Sequence, residues 1–327
     1  MNDRTMPEHF HINTPLLESV SMSRRAGTAV YLKMENSQPS GSFKIRGIGH
    51  LCQQMAGRSK GVVCSSGGNA GMAAAYVAKK MGLPATIVVP SSSPQLVVQK
   101  LQTQGATVTV TGKVWDDANA EALRLAEVEG LTYVPPFDHP LLWQGHAGIM
   151  PEIAASMGPN LKPGAVVVSV GGGGLLCGVV QGLKELGWTD VPIVSMETVG
   201  ADCFNAAVKA GRVVTLDDIT SEAKCLGAKS VCKTAFEYSQ SGAPPIISEL
   251  VTDRQALQAV ETFLDEERVL VELACGAALA AVYSGVICRL QQEGQLKTPL
   301  GALVVIVCGG SSINMEQLNT LRHKLHT

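Results

Sequence analysis

Neither sign of charge is in excess in this chain: 26 lysines and arginines face 28 aspartates and glutamates, a formal net charge of −2. That balance leaves no electrostatic footprint for DNA or RNA, so no nucleic-acid partner is expected. Aromatic residues are scarce, at 4%. With 34 glycines and abundant alanine and valine, the composition leans towards an α/β enzyme and away from a β-sandwich. A disulfide framework is missing. The nine cysteines are odd in number, contain no C-x-x-C, and sit in apolar runs such as Val62-Val63-Cys64 and Ile306-Val307-Cys308. Thiols used as small hydrophobes suit a reducing, cytoplasmic setting. The N-terminus has no apolar segment of the signal-peptide kind. The nearest thing to a membrane span, Ala165 to Leu183, carries no charge but contains Gly171 to Gly174, which would interrupt a lipid-facing helix. No membrane partner is expected. Internal repeats, low-complexity tracts and a G-x-S-x-G elbow are all absent.

What the chain does have is length and apolar content. Its 327 residues, 46% hydrophobic, suffice for one large domain or two linked ones and exclude disorder. Short β-branched runs alternate with helical patterns. GVVCSS (61–66), PATIVVP (84–90), ATVTVTG (106–112), GAVVVSV (164–170), VPIVSME (191–197) and GALVVIV (301–307) predict strands. Helices are predicted from about Ala70, over 93–104 and from about Leu175. Strands that are apolar throughout are covered on both faces, which means βαβ units and parallel sheets. The expected fold class is α/β, two-lobed, with mostly parallel twisted sheets flanked by helices. The proline-rich PPFDHP (135–140) marks a boundary between lobes.

Glycine clusters follow three of the strands: Ser65-Ser66-Gly67-Gly68-Asn69-Ala70-Gly71, Gly171 to Gly174, and Cys308-Gly309-Gly310-Ser311-Ser312. Loops at the carboxyl ends of parallel strands are where open α/β sheets take ligands. The tetraglycine run fits either a phosphate at the start of the following helix or close helix–strand packing. A nicotinamide dinucleotide would need G-x-G-x-x-G, but Leu176 or Cys177 falls where the third glycine belongs. Glu197, at the end of the next strand, stands where a ribose-binding acid is expected, so an NAD-dependent oxidoreductase stays as a minority reading. Lys44 follows a small polar stretch at a predicted helix start. Desolvation by Phe43 and Ile45 and the charge of Arg46 would lower its pKa and make its amine nucleophilic, whereas a solvated surface lysine is the ordinary alternative.

Four motifs, in order, carry a resemblance over nearly the whole chain from Thr14-Pro15-Leu16. Ser40-Gly41-Ser42-Phe43-Lys44-Ile45-Arg46 resembles the lysine segment of fold type II pyridoxal-phosphate (PLP) enzymes, the tryptophan synthase β group. Ser65 to Gly71 resembles their substrate loop, Gly171 to Gly174 their phosphate loop, and Cys308-Gly309-Gly310 the strand end beside the pyridine nitrogen. KVWDDAN (113–119), PPFDHPLLW (135–143) and GGGGLLCGVVQGL (171–183) are most similar to L-serine dehydratase/L-threonine deaminase and its serine dehydratase-like subgroup.

The resemblance implies a PLP-dependent lyase. It would deaminate L-serine to pyruvate and L-threonine to 2-oxobutyrate by β-elimination, in amino-acid catabolism and gluconeogenesis, as a homodimer. It implies a large PLP-binding lobe of 1–40 and 140–327 and a small lobe of 41–139 with the substrate loop. Lys44 would be the Schiff-base lysine and the base. Phe43 would stack on the ring, Asn69 would bond its hydroxyl, and Gly171, Gly172, Gly173, Gly174 and Leu175 would hold the phosphate. Ser66, Gly67, Gly68, Asn69 and Ala70 would hold the substrate carboxylate. Cys308 would face the ring nitrogen as a neutral, weak donor, which favours elimination over chemistry needing a persistent carbanion; a core cysteine is the plainer reading. Glu197 with the carbonyls of Gly171, Ala201, Leu226 and Ala228 would form a potassium site. Two residues depart from the usual pattern: Gly67 replaces alanine, as in the dehydratase-like subgroup, and Leu273 replaces proline. Either would lower turnover, so a PLP-binding paralogue with weak or no catalysis is an alternative, as is a serine racemase-type or β-replacement activity. Glu8-His9-Phe10-His11 reads as a loose tail and not a metal site, and His139 and His146, flanking Trp143, as structural.

Overall fold

The computed structural model describes residues 8–159 and 161–326. Ten strands occur among them: β1 Leu16–Glu18, β2 Val30–Met34, β3 Val62–Cys64, β4 Ala85–Val89, β5 Thr107–Val110, β6 Thr132–Val134, β7 Ala165–Ser169, β8 Ile193–Thr198, β9 Ile246–Val251 and β10 Leu303–Val307. The chain divides into two compact units, residues 13–37 with 146–326 and residues 8–12 with 38–145. The smaller unit therefore runs past the expected limit of 139. Gly145 accounts for this: a Cβ there would lie 2.4 Å from the Arg46 carbonyl oxygen, so residues around it are seated on the helix Lys44–Gln54.

The larger unit holds a six-stranded sheet of order β1-β2-β10-β7-β8-β9. Only β1 runs antiparallel to its neighbour. Leu303 stands opposite both Val30 and Ala165, which fixes the register of the centre. Strands β7, β8 and β10 are buried at every residue, the pattern of a sheet sheathed on both faces. The charge-free stretch 165–183 resolves into β7 and the helix Gly174–Glu185. Among the described residues no single helix is long and apolar enough to cross a membrane.

The smaller unit has a parallel sheet of order β5-β4-β3-β6. Its alanine-rich helix Asn69–Met81 turns Ala73, Ala74, Val77 and Ala78 inwards and stops at Gly82, whose φ of +70° admits the left-handed cap. The helix Trp115–Glu129 lays Ala118, Ala122 and Leu125 against Val63 and Val88. Its entry is fixed by Asp117, whose carboxylate accepts the backbone N–H of Lys113 and Val114, and these bonds lower its pKa. The N-terminal segment 8–12 is docked, which corrects the loose-tail reading. Phe10 is buried against Gly49, and the Gln38 side chain bridges the backbone N–H and carbonyl of Ile12.

Candidate active site

In the smaller unit, Gly41 turns the chain at φ +80°, and Lys44 is the first residue of the helix Lys44–Gln54. One face of that helix buries Ile45, Ile48, Leu51 and Cys52, which sets the half-buried Lys44 at the helix head. Its Nζ donates to the Pro136 carbonyl oxygen at 2.5 Å and lies 5.3 Å from the centre of the Phe43 ring. A solvated surface lysine is thereby excluded. Beside it, Ser42 is 1% exposed and its Oγ has no hydrogen-bond partner among the described residues.

The loop 65–68 joins β3 to the helix Asn69–Met81, which packs alongside Lys44–Gln54. Two contacts fix its path. The Ser66 N–H donates to the Cys64 sulfur, and a Cβ on Gly71 would lie 1.8 Å from the Ser66 carbonyl oxygen, so only glycine fits. Burial pushes the Cys64 thiol up to about 11, against the Ser66 N–H and the Lys44 charge, which lower it. No side chain caps the helix beginning at Asn69, because the cap residue is Gly68. The smaller unit thus gathers Phe43, Lys44 and the loop Ser66 to Ala70.

Gly67 can be assessed directly. A Cβ there would sit 3.0 Å from Val89 Cγ1 and 3.1 Å from Val97 Cγ1. Overpacking costs about 1–3 kcal/mol, while replacing glycine gains about 0.4–1 kcal/mol through the unfolded chain. Gly67→Ala is therefore expected to lower stability by about 1 kcal/mol in urea unfolding, the overpacking cost exceeding the entropic gain.

In the larger unit, the tetraglycine loop follows β7. Gly173, at φ +92°, caps the helix Gly174–Glu185 and offers no side chain to its first turn. A Cβ on Gly173 would meet Ala235 Cβ at 2.7 Å, Val231 Cγ2 at 2.9 Å and Cys232 Sγ at 3.1 Å. Gly171 abuts Leu226, whose carbonyl also receives the Ala228 N–H at 2.7 Å. The Cys203 thiol donates to the Gly171 carbonyl at 3.4 Å, and Ala201 bridges Thr198 at the end of β8. Glu197 accepts the Phe204 and Asn205 N–H groups at 2.9 and 2.7 Å, capping the next helix. Burial nonetheless pushes its carboxyl up to about 8. Among the described residues no group of three or more His, Cys, Asp and Glu side chains is arranged to hold a metal.

Cys308 directly follows β10 and is buried. Its hydrogen bond with Cys275, together with burial, pushes its thiol pKa well up, so the group is neutral. All nine cysteines are free. His139 accepts the Leu141 N–H through Nδ1, and Trp143 donates to the Phe137 carbonyl at 2.9 Å; both stiffen the loop that presents Pro136. Sequence reasoning read PPFDHP as a boundary and as part of a stretch of family likeness, and missed Pro136 as the acceptor of the lysine amine. Glu272 was missed too. Its Oε1 accepts the Ser312 N–H at 2.6 Å, and a Cβ on Gly310, at φ +134°, would collide with its Cδ at 2.1 Å. No local signal marks such a partner 40 residues away.

Residues 8–309 match the family described as pyridoxal-phosphate dependent enzymes. The chain belongs to that family. It is 59% identical to the human protein named serine dehydratase-like, over 97% of this chain and 96% of that one. It is 55% identical to human L-serine dehydratase/L-threonine deaminase, again over 97% and 96%. The crystal structure of a fungal L-serine ammonia-lyase from Rhizomucor miehei superposes with a TM-score of 0.89 at 36% identity, covering 97% of this chain and 100% of that one. Family membership supersedes the nicotinamide reading of the broken glycine fingerprint.

The family's cofactor can be tested against these residues. A buried helix N-terminus without a side-chain cap has unmatched N–H donors and the positive end of the helix dipole, which suit a phosphate dianion. Gly173 keeps that loop free of a Cβ. A half-buried lysine held on a carbonyl and a neutral thiol at a strand end suit the aldehyde and ring-nitrogen ends. The residues fit the cofactor.

Proposed function

We propose that this chain deaminates L-serine to pyruvate and L-threonine to 2-oxobutyrate, releasing ammonia. The observation that carries this reading is Lys44, a half-buried amine held on the Pro136 carbonyl beside Phe43. When bound, PLP supplies the electron sink that lets the Cα proton of an amino acid leave. Lys44 would hold the cofactor's aldehyde end through Nζ, and its free amine would take the Cα proton of the substrate. Backbone and side-chain donors of Ser66 to Ala70 would hold the substrate carboxylate, Asn69 would bond the ring hydroxyl and Phe43 would cover one ring face. Gly171 to Leu175 hold the phosphate through backbone N–H groups. Cys308 gives the ring nitrogen a weak neutral partner and no charge. That favours loss of the β-hydroxyl, which discharges the electron pair at once, over racemisation.

Glu197 with the carbonyls of Gly171, Ala201, Leu226 and Ala228 is proposed to take potassium. The closeness of Gly171, Cys203 and Leu226 supports this. A homodimer in the cytoplasm completes the proposal, the location supported by the nine free thiols; sedimentation velocity tests the dimer.

Protein loaded with PLP and potassium is expected to release keto acid from both substrates. Full loading without keto acid would overturn the reading in favour of a non-catalytic paralogue. Gly173→Ala combines a φ that side chains avoid with three close contacts. It is expected to weaken PLP binding by at least about tenfold, the loss of roughly one charge-assisted hydrogen bond. Titrating the cofactor's absorbance after dialysis measures this.

A further inference from the structure

The helix Trp115–Glu129 packs onto the smaller sheet through Ala118, Ala122 and Leu125, which brings one polar side chain, Asn119, to the carboxyl end of β3. Its Oδ1 accepts two hydroxyl donors at once, Ser65 Oγ at 2.8 Å and Tyr133 Oη at 2.6 Å. A carbonyl oxygen can only accept, so both protons are fixed: Ser65 and Tyr133 must donate, and the Asn119 amide NH2 is turned from both. Tyr133 lies in β6 and Ser65 directly follows its neighbour β3, with Val63 of β3 opposite Tyr133. Ser65 is 0% exposed, so its hydroxyl has no water to fall back on. Burial raises the Tyr133 pKa and keeps the phenol a donor, although the neighbouring Ser65 hydroxyl, which also contacts it, works in the lowering direction.

Ser65 is the residue through which β3 enters the loop. The next residue, Ser66, is held by Cys64 at its N–H and by close approach of Gly71 at its carbonyl. Those contacts set the loop's height above the helix start, and the Ser65–Asn119 bond sets the direction in which the chain leaves the strand. We infer that Asn119 is a positioning residue. Through Ser65 it holds Ser66 to Ala70 in the geometry that accepts an α-carboxylate. The inference rests on the deaminase reading only for the identity of the amino acid.

The test uses PLP-loaded wild type, Asn119→Ala, Ser65→Ala, their double variant and Tyr133→Phe. Two readouts are taken: steady-state keto-acid release, and the change in cofactor absorbance on titration with L-serine. Asn119→Ala should raise both KM and the half-saturating L-serine concentration about tenfold, the ratio expected for losing one buried hydrogen bond, with kcat within about twofold. Ser65→Ala should match it, and the double variant should add nothing, because the two single changes break the same bond. Tyr133→Phe leaves that bond intact and should stay within about twofold of wild type. Unchanged L-serine affinity in Asn119→Ala overturns the inference, as does an additive double variant or a loss seen only as lowered thermal stability. The absorbance titration reads capture without turnover. A protein that shows the affinity split but releases no keto acid would therefore overturn the deaminase reading while leaving the positioning role in place.

Discussion

Lys44→Ala is expected to release pyruvate from L-serine at no more than the protein-free rate, a loss of at least about 10³-fold, since on the proposed mechanism it removes both the covalent anchor and the base. Lys44→Arg should be equally inactive, because a guanidinium neither gives up its proton nor forms the covalent link. Both variants should retain the fold. Lys44 is half-buried at a helix head and donates to the Pro136 carbonyl, a neutral acceptor in a half-buried loop, and neither substitution alters an apolar core residue. Thermal unfolding without PLP checks that point, and the visible absorbance of lysine-bound cofactor should vanish in both. Turnover by Lys44→Ala close to wild type would remove Lys44 from the chemistry.

How far the sequence led follows from where each element's partners lie. Strands β3, β4, β5, β7, β8 and β10 were legible as β-branched runs, and their observed limits fall inside the predicted ones or within one residue of them. Strand β2 was not. It carries Lys33, fully buried, whose ammonium is satisfied by the Thr14 carbonyl and the Glu152 carboxylate, partners a local pattern does not show. Strand β9 lies at a sheet edge, where Ser248 accepts from Asn205 and Glu249 from Arg289, partners remote in sequence, and β6 is three residues long. The glycine loops could be read because their constraint is local: a turn, a positive φ or a close approach such as that of Gly71 to Ser66. Groups that hold the loops from outside, Pro136 for Lys44, Asn119 for Ser65 and Glu272 for Ser312, arrive through tertiary packing. The loose-tail reading failed for the same reason, since Phe10 finds its pocket only against Gly49.

Glu197 should make stability depend on both pH and potassium. Its carboxyl rises from an ordinary 4.5 to about 8, because burial outweighs two backbone N–H bonds. With the folded pKa above the unfolded one, the folded state binds the extra proton. Its contribution is complete below about pH 4.5 and is lost as pH climbs through 8, a change on the order of 5 kcal/mol. Without potassium, denaturant unfolding should show wild-type stability falling between pH 6 and 9. Glu197→Gln carries no charge to desolvate. It forfeits about 1–3 kcal/mol by replacing one acceptor oxygen with an amide, yet should still overtake wild type at the alkaline end. Potassium acts in the opposite direction. By pairing with the ionised carboxylate and the carbonyls around Gly171, it should restore wild-type stability most at pH 9 and least at pH 6, and should leave Glu197→Gln unmoved. If potassium stabilised both proteins equally, its effect would lie in bulk screening and the carboxylate would have no share in it. The same carboxylate caps the helix beginning at Cys203, the residue whose thiol reaches the Gly171 carbonyl. Ionising it without a counter-ion would therefore strain the support of the proposed phosphate loop. Potassium should tighten PLP binding in wild type and have no effect on it in Glu197→Gln.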